Sequence, residues 1–201
     1  MAEYRFEVRS KIDEALSREL FDLYLETFGP LATLAAARHV LTPEEWADEM
    51  QDERIEKFLV VTDTDEVVGM MTSVLDLAAV PWISQEYFRE RYGDRPVIYQ
   101  GFTMIRKEHR SLELLLQLFH RGLATVPEDA VIAFDCSEYN AARGYVDRIS
   151  LATGAEVQEL DVQRYYMLER AETVLDLPSI EAQPTIDLRD SARVEESDRT
   201  A

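Results

Sequence analysis

The chain is poor in cysteine, glycine, lysine and long apolar runs, and each scarcity excludes a class of protein. Cys136 stands alone and forms no internal disulfide, and no group of Cys and His has the spacing of a zinc site, so neither a disulfide framework nor a bound metal is expected. The first residues, Met1-Ala2-Glu3-Tyr4-Arg5, lack the apolar core of a secretory signal. The stretch Val74 to Gln85, with Asp76 as its one charge, is too short and too polar to span a bilayer. A soluble cytoplasmic protein without a membrane partner is the expectation. No glycine-rich loop cradles a phosphate, which sets aside an ordinary nucleotide-binding α/β protein.

Positive charge is scarce too. Lys and Arg number 21 against 40 Asp and Glu, a formal charge of −19, so a polyanion is repelled over most of the surface and no nucleic-acid partner is expected. Lys11, Lys57 and Lys107 are the only lysines, and the preference for arginine matches a GC-rich bacterial or moderately halophilic source. Hydrophobic residues make up 46% of 201 residues, enough for the core of one ordinary domain.

Periodicity divides the chain into alternating elements. Tyr4, Phe6 and Val8 alternate with charged residues and predict a half-buried strand. Ser10 stands three residues before Asp13 at the head of Ile12, Leu16, Leu20, Leu23, Tyr24 and Phe28, a helical stripe stopped by Gly29-Pro30. Helical composition continues from Leu31 to Leu41, and Thr42-Pro43-Glu44-Glu45 opens a further helix, Pro43 to Gln51. Phe58 to Val61 and Val67 to Leu75 flank Asp63-Thr64-Asp65-Glu66 as an antiparallel hairpin. Ser84 to Tyr92 reads as a short helix stopped by Gly93, followed by a strand, Val97 to Ile105. A helix from Leu112 to Thr125, a buried strand from Ala130 to Asp135, a helix from Ala141 to Ala152 ended by Gly154 and a closing strand from Val162 to Leu168 complete the order. Residues 1–170 thus form one α/β (α+β) domain. Residues 171–201 carry eight acids, three arginines and two prolines with little periodicity and read as an acidic, flexible tail. That tail holds −5 of the charge, which leaves −14 on the body.

The element order and four segments resemble the GNAT superfamily of N-acetyltransferases. The segments are Phe58 to Leu75; Phe102-Thr103-Met104-Ile105-Arg106-Lys107-Glu108-His109-Arg110; Ala133-Phe134-Asp135-Cys136-Ser137-Glu138-Tyr139-Asn140; and the stretch around Tyr165-Tyr166. The resemblance implies a mixed, mostly antiparallel twisted sheet flanked by helices. It also implies acyl transfer from acetyl-coenzyme A or another acyl-coenzyme A to the amine of a small molecule or peptide. The thioester would lie between splayed strands, held by Phe102, Thr103, Met104 and Ile105. Arg106, Lys107, Arg110 and Ser111 would hold phosphates at a helix start, where unpaired amides and the helix dipole attract anions, with Asn140 nearby. Tyr145 resembles the family's general acid, and Asp135 or Glu138 would relay the amine's proton.

The family pattern runs Arg or Gln, two residues, Gly, one residue, and Gly or Ala, whereas this chain reads Arg110-Ser111-Leu112-Glu113-Leu114-Leu115, placing Glu113 and Leu115 against a pyrophosphate. The fourth strand has Gln100-Gly101-Phe102 where many relatives keep a glutamate, and Gly101 suggests a bulge or close ligand approach. These departures define the alternative, a GNAT-like scaffold that has lost the coenzyme site and acts as a binding or assembly protein. A monomer and a homodimer both stay open. Other candidates have plainer readings: Cys136 as a small buried hydrophobe, His109 as an exposed loop residue, His120 as structural, and Trp82, Tyr87, Phe88 and Tyr92 as anchors of a long connection or as a substrate wall. Leu112, Leu115, Leu116, Phe119 and Leu123 read as core.

Overall fold

The computed structural model describes residues 4–36 and 40–167. The chain divides into two units, Met1–Tyr165 and Tyr166–Ala201, and the fold described is that of the first. Its strands are β1 (Tyr4–Arg9), β2 (Ile55–Thr62), β3 (Val67–Val74), β4 (Val97–Ile105) and β5 (Val131–Phe134). Its helices are α1 (Glu14–Phe28), α2 (Leu31–Leu34), α3 (Pro43–Gln51), α4 (Gln85–Tyr92), α5 (Leu112–Leu123), α6 (Glu138–Ala141) and α7 (Tyr145–Thr153). Among the described residues the strands form one sheet in the order β1-β2-β3-β4-β5, antiparallel except for the parallel pair β4 and β5. A parallel pair needs a crossover, and α5 supplies it.

Each face of the sheet has its own core. Leu59, Val61, Met70, Phe102 and Met104 pack against Leu20, Leu23 and Tyr24 of α1 and Trp46 and Met50 of α3. Phe58, Val60, Val68, Met71 and Ile105 pack against Leu114, Leu118 and Phe119 of α5 and Ile149 of α7. A third cluster around Ile55, Val74, Tyr99 and Ala133 is covered by Phe88 of α4 with Tyr87 and Tyr92 at its margin. The aromatic residues of the long connection thus pin it to the body, while Trp82 remains 68% exposed.

Several sequence expectations need correction. Asp13, not Ser10, caps α1, its carboxylate accepting from Ala15 and Leu16 N–H, because the helix starts at Glu14, three residues later than a Ser10 cap would place it. Val8 is exposed near the end of β1. The expected helix from Leu31 to Leu41 is regular over Leu31–Leu34, and residues 37–39 lie outside the described residues. The helix expected from Ala141 to Ala152 is split into α6 and α7 at Gly144, whose φ of 73° only glycine adopts readily. The inward face of α5 is Leu114, Leu118, Phe119 and Gly122, whereas Leu112 is 44% exposed and Leu115, Leu116 and Leu123 are half-buried; the leucine run satisfies more than one helical register, and the sheet selected among them. Residues 162–167 form no strand, and Leu168, like the tail expected after residue 170, lies outside the described residues.

One charge is buried in the sheet. Lys57 of β2 is fully buried, and its Nζ donates to the carbonyls of Ser10 and Asp52, 2.8 Å each, tying the start of α1 to the end of α3. Burial pushes this ammonium from its ordinary 10.5 down to about 8, against the opposing pull of Glu49 and Asp52. Between those values the unfolded chain holds the proton more tightly, so the stability contributed here is lowest below pH 8 and rises as pH climbs toward 10. Denaturant titrations at pH 7.5 and pH 10 are expected to show wild type gaining about 1–2 kcal/mol on Lys57→Met across that interval. A constant difference would contradict this account.

Candidate functional site

Four rungs hold β4 to β5, ending at Gln100 opposite Phe134. Beyond them β4 runs on to Ile105 while β5 stops, so Gly101 to Ile105 pair with β3 alone. The divergence has a local cause. Met71 opposes Thr103 and Ser73 opposes Gln100, so Thr72 faces both Gly101 and Phe102 in a β-bulge. Thr72 Oγ1 accepts from the Phe102 N–H at 3.2 Å, and a Cβ on residue 101 would overlap that oxygen. Gly101 is therefore a bulge glycine, one of the two roles its place in the strand suggested.

Polar side chains gather around the point of divergence. Tyr99, buried in β4, donates its phenol proton to Asp135 Oδ1 at the end of β5. Asp135 itself is exposed to solvent. Tyr145 opens α7 directly after the Gly144 turn and is half-buried at the margin of the second core. Burial pushes its phenol above the ordinary 10, and the negative potentials of Cys136 and Asp135 add to that shift. The Thr103 hydroxyl, itself buried, lies close enough to oppose the shift without reaching hydrogen-bonding geometry. Tyr145, Thr103, Asp135, Cys136 and Tyr99 thus converge from α7, β4 and the end of β5. Glu138 is exposed in the first turn of α6 and Asn140 half-buried in the same helix.

The β4–α5 connection forms the second part of the site. Ser111 caps α5, its hydroxyl accepting from Leu114 N–H at 3.1 Å, while the Leu115 N–H donates to the Ser111 carbonyl. The amides of Leu112 and Glu113 have no intrahelical partner. Arg110 folds back so that its Nε donates to the Ile105 carbonyl at 2.7 Å, which anchors the guanidinium between the end of β4 and the start of α5. The Glu113 carboxylate accepts from Gln117 Nε2 at 3.3 Å, one turn further on, which draws it down the helix and away from its mouth. Leu115 packs against the second core. Neither residue plugs the helix start, contrary to the sequence reading.

The remaining site candidates part company. Phe102 stacks on Trp46 with ring centroids 5.6 Å apart and meets Tyr24 edge-on, so its side chain belongs to the first core, as does that of Met104; Ile105 is in the second. Only their backbone is available to a ligand. Arg106 turns away from α5, pairing with Glu19 of α1 at 2.5 Å and Glu66 at 3.5 Å. Lys107 is exposed. His109 is half-buried rather than exposed, with Nδ1 3.0 Å from the Tyr4 phenol oxygen. His120 is exposed. Sequence reasoning overlooked Tyr99 and Thr72. The parallel register of β4 and β5, which pairs Tyr99 with a residue two before Asp135, is the signal that finds the first; a glycine within a strand opposite a β-branched hydroxyl finds the second.

No protein-family model matches the sequence, and no curated protein matches it. Solved structures do. An aminoglycoside acetyltransferase from an uncultured soil metagenomic sample, in complex with sisomicin, superposes with a TM-score of 0.51 at 12% identity over 83% of this chain and 97% of that one. A possible acetyltransferase from Clostridium difficile 630 gives 0.53 at 11% over 82% and 99%. A GNAT-family acetyltransferase from Listeria monocytogenes 4b F2365 gives 0.53 at 15% over 78% and 89%. The chain has the fold of the GNAT acetyltransferases.

Two measurements check this geometry. Gly101→Ala is expected to lower stability by about 1–3 kcal/mol, and a double-mutant cycle with Thr72→Ala to show coupling, since the clash needs both partners. In an ultraviolet tyrosinate titration, the difference between wild type and Tyr145→Phe is expected to show one phenol ionising later than an ordinary tyrosine; one ionising at or below pH 10 would contradict its burial.

Proposed function

We propose that the chain is a GNAT-type acyltransferase that moves an acyl group from acyl-coenzyme A to the amine of a small molecule or peptide. The observation that carries this reading is the desolvated Tyr145 phenol beside the half of β4 that lacks a neighbour strand toward β5. Residues 1–170 are taken as the acyltransferase domain and 171–201 as an acidic appendage. No helix among the described residues is long and apolar enough to cross a membrane, and a cytoplasmic location suits a coenzyme A-dependent reaction.

The residues present fit the coenzyme. Arg110, anchored through Nε, keeps its terminal nitrogens for phosphate oxygens beside the Leu112 and Glu113 amides, and exposed Lys107 adds charge. Arg106, committed to Glu19 and Glu66, takes no part. When bound, the thioester supplies an activated acyl carbon with a thiolate leaving group. Backbone groups of β4 between Gly101 and Ile105 orient its carbonyl. Asp135, held by Tyr99, accepts a proton from the incoming ammonium through water, with Glu138 as a second acceptor at the mouth. The freed amine forms the C–N bond as the C–S bond breaks, Tyr145 gives its proton to the departing sulfur, and the surplus proton on the new amide nitrogen returns through water to the Tyr145 phenolate. A phenol kept protonated by burial suits that role. The acidic body, at −14, concentrates cationic amines near the site.

Acetyl-coenzyme A at 100 times its dissociation constant is expected to stabilise the fold by about 2.7 kcal/mol in a thermal-shift series. Arg110→Ala should weaken binding several-fold, Arg106→Ala leave it nearly as it was, and Glu113→Gln tighten it about twofold to fivefold. Tyr145→Phe should lower kcat with little change in binding. A flat melting series would favour the scaffold reading instead.

A further inference from the structure

Directly beneath the point where β4 and β5 part, on the α5 and α7 face, lies a pocket of about 50 Å³. Its walls are Ile98, Ile132 and Phe134 of the two strands, Phe119 and Leu123 of α5, and Ile149 of α7. Three polar side chains, Ser73, Gln100 and Thr153, also border it, but each is already engaged: Thr153 Oγ1 donates to the Ile149 carbonyl at 2.9 Å. Ser73 Oγ donates to Gln100 Oε1 at 3.2 Å, and Gln100 Nε2 donates to the Thr72 carbonyl. Their mutual satisfaction leaves little in the pocket for a water to bond, and a water in an apolar cavity without two to four polar partners is unfavourable. By the measure in which one water needs about 10–15 Å³, this space takes about three or four heavy atoms.

The location assigns the occupant. Gln100 and Phe134, the last rung of the parallel ladder, border the pocket, and one residue further on β4 enters its unpaired stretch. A thioester carbonyl held against Gly101 to Thr103 would thus have its acyl carbons next to the pocket. We propose that this pocket is an acyl-chain subsite that makes the protein selective for short-chain acyl-coenzyme A, of three to five acyl carbons, over acetyl-coenzyme A. The inference rests on the acyltransferase reading and adds to it the identity of the donor.

Calorimetric titration of acetyl-, propionyl-, butyryl- and hexanoyl-coenzyme A into wild-type protein tests it without requiring an acceptor. Each methylene transferred from water to the pocket is expected to tighten binding about fourfold, so butyryl-coenzyme A should bind about 15-fold more tightly than acetyl-coenzyme A, and hexanoyl no more than about fourfold more tightly than butyryl. Ile132→Phe, at a position 38% exposed and therefore tolerant of a larger side chain, should bring the butyryl-to-acetyl ratio close to one by filling the space. Leu123→Phe, from the helix side, provides the same test should Ile132→Phe fail to fold. Equal affinity for acetyl and butyryl in wild type, or a ratio that survives filling, overturns the subsite while leaving the acyltransferase reading in place. Absence of binding by every thioester overturns both.

Discussion

Thr72 and Gly101 meet across β3 and β4 so closely that no side chain fits at position 101, and the arrangement of the site follows from this overlap. The threonine hydroxyl takes the amide proton of Phe102, two residues of β4 stand against one of β3, and the strand bends. Below the bulge β4 keeps β5 as a parallel neighbour; above it the two separate, and β4 retains only β3. A sheet edge opened inside a protein exposes backbone donors and acceptors that need partners. In this chain that opening is where Tyr145, Thr103, Asp135 and Tyr99 converge.

Charge around the site is arranged by pairing rather than by composition. A body of −14 repels an anion at long range, yet the local picture differs from the total. Glu113 is drawn along its helix by Gln117, Arg106 is occupied by Glu19 and Glu66, and Arg110 remains at the helix start, braced by one strand carbonyl. Two arginines four residues apart thus have opposite fates because their partners differ, two carboxylates for Arg106 and one strand carbonyl for Arg110. Lys57 shows the same principle in the core, where two backbone carbonyls compensate a cation that the surrounding apolar residues disfavour.

Much of the architecture could be read from pattern. The capping box at Thr42 and Glu45, the Gly93 stop of α4, and the full length of β4 each depend on residues within a few positions of one another. Where the reading slipped, a distant partner decided. The leucines of α5 satisfy several helical registers, and only the sheet against which they pack distinguishes Leu114 and Leu118 from Leu112. Phe102 itself reads by resemblance as a holder of the thioester, but its side chain points into the aromatic cluster of Trp46, Tyr24 and Phe28.

The sequence by itself determined the local elements, the surface charge and the presence of a glycine where β4 would bulge, because these depend on short-range sterics, periodicity and composition. Tertiary structure alone decided that Tyr99 would reach Asp135, that Tyr145 would be desolvated beside Thr103, and that Glu113 and Leu115 would leave the helix mouth open. Those outcomes depend on strand register, on one left-handed turn at Gly144 and on the direction each side chain takes when its element packs. None of these is set by neighbours along the chain.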